Sequence, residues 1–83
     1  MKIFAYNINF KANKDVIIDL FAKYGAIADF NMAHDRETKK FRGFVFVEYE
    51  NDNDALDAIN NINGMEFMGR YVGVKIHEEK AIA

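Results

Sequence analysis

Residues 42–49 read RGFVFVEY, and this alternation constrains the fold more than any other stretch of the chain. Successive side chains of a strand point to opposite faces of its sheet, so Arg42, Phe44, Phe46 and Glu48 share one face and Gly43, Val45, Val47 and Tyr49 share the other. Both sets contain large apolar groups. One face can pack on helices, while the other shows Phe44 and Phe46 either to a second layer or to a ligand. The chain has 83 residues, enough for one small domain and not for two, and a second covering layer is hard to supply from so little material. A single domain over residues 1–83 is expected.

The other segments supply partners for this strand. Residues 2–8, KIFAYNI, alternate Ile3, Ala5 and Asn7 with Phe4 and Tyr6 and end at Ile8, which predicts a first strand with the same two-faced character. Residues 14–24, KDVIIDLFAKY, place Ile17, Leu20, Phe21 and Tyr24 at helical spacing, with Asn13 as N-cap, Asp15 in the first turn and Gly25 as the stop. Residues 27–33, IADFNMA, predict a strand anchored by Ile27, Phe30 and Met32, followed by the charged loop HDRETKKF. After RGFVFVEY, Asn51 or Asp52 caps a second helix in which Ala55, Ala58, Ile59 and Ile62 repeat the helical spacing, ended by Asn63 and Gly64. The MEFMG turn leads to a last short strand, RYVGVKI.

This order, strand, helix, strand, strand, helix, strand, is the α+β ferredoxin-like βαββαβ pattern: a four-stranded antiparallel sheet with two helices on one face. Two helices cover only one side of such a sheet. Gly43, Val45, Val47 and Tyr49 therefore face the helices, and Ile17, Leu20, Phe21, Ala58 and Ile59 are expected to be buried against them. Phe44 and Phe46 sit on the uncovered face with Phe4 and Tyr6, an aromatic patch that a soluble monomer rarely leaves exposed without a use.

Composition removes much of the competing chemistry. The chain has no cysteine, serine, proline, glutamine or tryptophan, so thiolate metal sites, disulfides and Ser or Cys nucleophiles are excluded. The only hydroxyl outside tyrosine is that of Thr38, and two distant histidines, His34 and His77, read as solvated loop and strand-end residues rather than as metal ligands. No catalytic residue, cofactor or metal is expected. Met1 and Lys2 lead directly into the first strand with no signal peptide, no apolar run approaches the roughly 20 residues of a membrane span, and a cytoplasmic location is expected.

RGFVFVEY and IFAYNI together resemble the paired signatures of the RNA recognition motif family. The octapeptide, Lys/Arg, Gly, Phe/Tyr, Gly/Ala, Phe, Val, any residue, Phe/Tyr, matches at every fixed position except Val45. The hexapeptide is similar to residues 3–8, with small Ala5 the loosest match, and LFAKYG, DRETKKFRGF, DALDAI and NGMEFMGR look like family segments in the family's order. The resemblance implies that Phe4 and Phe46 stack on two successive bases of a single strand, that Phe44 packs against the sugars between them, and that Arg42 pairs with a phosphate. Lys75 and Asn31 are expected on the same face. Tyr6 either stacks on a further base or fills the sheet surface, and Arg42 has the alternative of a solvated strand-end charge.

The expected partner is single-stranded RNA, with single-stranded DNA as an alternative, bound by a monomer. The reading from another class is an interaction module that docks a protein or forms a homodimer through the sheet. Family members specialised for protein ligands often lose the sheet aromatics and carry an Arg, any residue, Phe motif after the second helix, whereas this chain keeps the aromatics and reads MEF there. Its net charge of -2 is low for a nucleic-acid binder, yet residues 36–42 hold Arg36, Lys39, Lys40 and Arg42 against Glu37 alone, while residues 48–57 hold five acids and no base. A local basic edge survives a negative total.

Overall fold

The structure is a computed structural model that describes residues 1–77. Along the chain run β1 (Lys2–Tyr6), α1 (Lys14–Ala22), β2 (Ile27–His34), β3 (Phe41–Tyr49), α2 (Asp52–Ile62), β4 (Glu66–Phe67), β5 (Arg70–Tyr71) and β6 (Gly73–Ile76). Strands β2, β3, β1 and β6 form an antiparallel sheet in that spatial order, and β4 with β5 forms a separate hairpin. This is the expected ferredoxin-like arrangement, with both helices on one face. Among the described residues, no helix is long and apolar enough to cross a membrane.

The helices begin where their caps dictate. The Asn13 side chain accepts from the backbone N–H of Val16 at 2.9 Å, and that of Asn51 from Asn53 at 2.9 Å, each satisfying a donor that the first turn leaves without a partner. Helix α1 ends at Ala22 rather than at Tyr24, and buries Ile17, Leu20 and Phe21. Helix α2 buries Ala55, Ala58 and Ile62, so its apolar stripe is centred on that line and Ile59, expected in the core, lies half-buried at its margin.

Two strands are shorter than their sequence pattern. Strand β1 stops at Tyr6 because Asn7 turns the chain with φ 62°, a left-handed conformation that asparagine tolerates, after which Ile8 folds back into the core. RYVGVKI is broken at Val72. Its first part pairs with Glu66–Phe67 through a two-residue turn in which Met68 and Gly69 both have positive φ, the geometry that matches the twist of a tight hairpin. Its second part, Gly73–Ile76, pairs with β1.

Strand β2 carries a bulge that explains its uneven pattern. Ile27 stands opposite Tyr49 and Asp29 opposite Glu48, so one residue of β3 is spanned by two of β2 and Ala28 is the extra one. An extra residue flips every later side chain to the other face. Ile27, Phe30 and Met32 break a period of two, yet all three pack against the core, while Asp29 and Asn31 share the open face with Phe46.

Ile3 and Ala5 of β1, Val45, Val47 and Tyr49 of β3 and Val74 of β6 meet the helices in one buried cluster. Val45, larger than the family's Gly or Ala, lies directly opposite Ala5, smaller than the family's usual aliphatic, and both are fully buried. The two departures are opposite in size and lie side by side on neighbouring strands. At the end of β3, the buried Tyr49 hydroxyl donates to the Phe21 carbonyl and ties the sheet to α1.

Candidate nucleic-acid interface

On the uncovered face, register places the aromatics in a block. Phe4 of β1 stands opposite Phe46 of β3, with 5.1 Å between ring centres, and Phe44 lies 5.5 Å from Phe4. Tyr6 continues the row, stacked 5.6 Å from Phe4. Phe4, Phe44 and Phe46 are partly exposed, as expected from their alternation, and Tyr6 is 42% exposed. Tyr6 lies over Gly73, its register partner: a Cβ at Gly73 would come within 2.3 Å of the Tyr6 ring. The glycine thus gives the ring its seat on β6.

Cations border this platform. The Arg42 guanidinium lies 5.4 Å from the centre of Phe44, and the Lys75 ammonium 5.7 Å from Phe4 and 6.0 Å from Tyr6. Both are exposed, so each contact contributes about 0.5–1 kcal/mol and leaves the charge available. Asn31 stands opposite Phe46, and its Nδ2 donates to Asp29 at 3.1 Å. The site residues expected from the sequence therefore share one face, at the places their strands assign.

Charge is polarised along that face. Asp29 and Glu48 stand opposite each other at one end, with Lys2 across from Glu48 on β1, while Arg42 lies toward the other end of β3. The first end thus carries two carboxylates and one ammonium, and the second a guanidinium.

Two features were not expected. His77 is not a solvated strand-end residue: it is half-buried, edge-on to Phe46 with 4.9 Å between ring centres, and its backbone N–H donates to the Lys2 carbonyl. Carrying the alternation of Gly73 and Lys75 two residues further would have placed it there. The second is Phe10, in the loop after β1, which is 64% exposed beneath the Arg70 guanidinium at 5.7 Å. Arg70 is held in turn by Asn7, whose Oδ1 accepts from its Nη2 at 2.7 Å. Asn7 also donates to the Tyr71 carbonyl and Asn9 to that of Met68, so the β4–β5 hairpin is fastened to the loop that carries Phe10. No local periodicity marks these pairs. Among the described residues, no group of three or more His, Asp or Glu side chains is placed to hold a metal ion.

The family model for the RNA recognition motif matches residues 3–73, which include the platform, both helices and the hairpin. The chain belongs to the RNA recognition motif family. It is 39% identical over 72 residues to the cleavage stimulation factor subunit 2 tau variant of Homo sapiens, a match that covers 87% of this chain and 12% of that protein. The crystal structure of RNA binding protein PG1 is similar to it with a TM-score of 0.90 at 38% identity, covering 99% of each chain. The structure of the Rna15 RRM with bound RNA (GU) has a TM-score of 0.86 at 21% identity, covering 99% of this chain and 87% of that one, a likeness of fold.

Proposed function

We propose that this chain binds single-stranded RNA by stacking two successive bases on Phe4 and Phe46. The observation that carries the reading is the pairing of these two rings, 5.1 Å apart and partly exposed, on a sheet face that no helix covers. Every base has a π-face, and stacking on an aromatic contributes roughly 1–3 kcal/mol per base. Phe44 packs against the sugars between the bases. Lys75 and Arg42 swing from the rings they now cover to meet phosphates, which long flexible stems allow. Tyr6, seated over Gly73, extends the platform by one ring. Asn31, beside Phe46, reads an edge of the base stacked there, and single-stranded DNA is a weaker ligand of the same face.

The relatives support RNA as the ligand class, since RNA binding protein PG1 matches this chain along its whole length. The test is a titration of randomised single-stranded RNA and DNA against the wild type and a Phe44→Ala/Phe46→Ala variant. Binding of RNA by the wild type, weakened at least tenfold in the variant, is expected. Equal binding by both would remove stacking from the mechanism.

A further inference from the structure

Asn63 ends α2, and of the nine asparagines in the chain it alone is followed by a glycine. The carboxamide carbon of an asparagine is an electrophile, and the nucleophile within its reach is the backbone nitrogen of the next residue, to which a glycine allows close approach. A Cβ at Gly64 would meet nothing within 4 Å, and both residues are exposed, so water reaches them. We propose that Asn63 is a modification site at which the chain deamidates spontaneously through a cyclic imide, and that opening of the junction between α2 and β6 gates the reaction.

The chemistry needs only the chain and water. The Gly64 nitrogen attacks Cγ of Asn63, the N–Cγ bond of a five-membered succinimide forms, and the Cγ–Nδ2 bond breaks. Nδ2 takes the proton of the Gly64 N–H and leaves as ammonia. Water then adds to one of the two ring carbonyls. Opening at Cγ gives an aspartate at position 63, whereas opening at the backbone carbonyl carbon leaves the main chain running through Cγ, an isoaspartate with one extra carbon in the chain.

The folded structure holds each reacting group out of position. At ψ 121° the Gly64 nitrogen is turned away from the Asn63 side chain, whereas ring closure requires it to eclipse Cβ. The Gly64 N–H donates to the Val72 carbonyl at 2.7 Å, and Asn63 Oδ1 accepts from the Val74 N–H at 3.0 Å. Turning ψ while the side chain swings over the Gly64 nitrogen releases both bonds, and with them the end of α2 from the strand beside it. Protection therefore comes from hydrogen bonds and not from burial, and the rate follows the fraction of time for which the junction is open. An aspartate keeps an acceptor for Val74 but sets a carboxylate at the C-terminal end of α2, where the last carbonyls already carry partial negative charge. An isoaspartate lengthens the main chain between α2 and the hairpin and moves Gly64 away from Val72. Both products loosen β6, the strand that carries Gly73 and Lys75.

The whole chain is aged in mildly alkaline buffer, folded and in concentrated urea, and digested at intervals so that mass spectrometry locates each amide converted to acid. In urea, Asn63 should convert ahead of the eight other asparagines and give both aspartate and isoaspartate. In the folded chain its conversion should be at least about tenfold slower. Ile62→Val, a mild truncation of a fully buried side chain next to Asn63, should speed the folded reaction by about 2- to 10-fold and leave the rate in urea unchanged. Amide hydrogen exchange at Gly64 and Val74 measures the opening independently and should rise in Ile62→Val by the same factor. Conversion of Asn63 no faster than that of the other asparagines in urea overturns the site. Equal rates in the folded and unfolded chain, or a folded rate that does not follow exchange at Gly64, overturns the gate.

Discussion

Ala5 and Val45 face each other across β1 and β3, both fully buried beneath the helices. The sequence marks each as a departure from its motif, one too small and the other too large, and their register makes them a matched pair. Ala5→Val should overpack the layer and Val45→Ala should leave a cavity, each costing about 1–3 kcal/mol. The double variant, with the two residues exchanged, should recover at least about 1 kcal/mol of the summed loss, since residues in contact couple by roughly 0.5–3 kcal/mol. Denaturant melts of the four proteins measure the coupling, and simple additivity would show that the volumes do not compensate.

Phe46 and Val47 are consecutive but serve different faces. Phe46→Ala should weaken single-strand binding by about 1–3 kcal/mol, at a stability cost near 1 kcal/mol from its contacts with Phe4 and His77. Val47→Ala should destabilise the fold by roughly 2 kcal/mol and leave the affinity of the folded fraction unchanged. Parallel melts and titrations would reject this division if both variants lost stability and affinity in the same proportion.

The buried Tyr49 hydroxyl predicts an alkaline limit to stability. Burial, then the nearby Tyr24 and Asp54, push its ionisation well above the ordinary tyrosine range. Unfolded chain releases this proton from about pH 10, while the folded state still holds it, so unfolding is favoured as pH rises. Full stability is therefore present below pH 10 and is lost above it, at up to about 1.4 kcal/mol per pH unit from this group. Tyr49→Phe should lower stability by about 1 kcal/mol at neutral pH, because a buried hydrogen bond between sheet and helix is lost while the Phe21 carbonyl keeps the Tyr24 N–H, and should flatten the alkaline decline. A melt series from pH 8 to 11.5 checks both effects.

Salt dependence reports how many phosphates are held. Each phosphate neutralised on a single strand contributes about -0.7 to the log–log slope of affinity against salt. Arg42 and Lys75 on the platform, with Lys40 and Arg70 at its loop end, suggest about 2–4 contacts and a slope of roughly -1.5 to -3. Stacking then carries most of the affinity, the matching duplex should bind poorly, and Arg42→Ala should flatten the slope by less than one unit. A slope near about -6, or equal binding of duplex, would transfer the energy to the phosphates.

Alternation and helical spacing are local properties, so the chain alone determined which faces of β1 and β3 are buried, where α1 and α2 begin, and that Phe4, Phe44 and Phe46 share an uncovered surface with Arg42 and Lys75. These follow from two periods and from caps that act within three residues. Other features were decided only when strands paired. The extra residue at Ala28 is defined by its partner strand, and it alone brings Ile27, Phe30 and Met32 to one side. Val45 lies opposite Ala5, 40 positions earlier in number and adjacent in register. Arg70 is aimed at Phe10 by a hydrogen bond to Asn7 across 63 positions of chain. Such contacts join residues that no periodic pattern relates, and only the closed tertiary structure sets the distance between them.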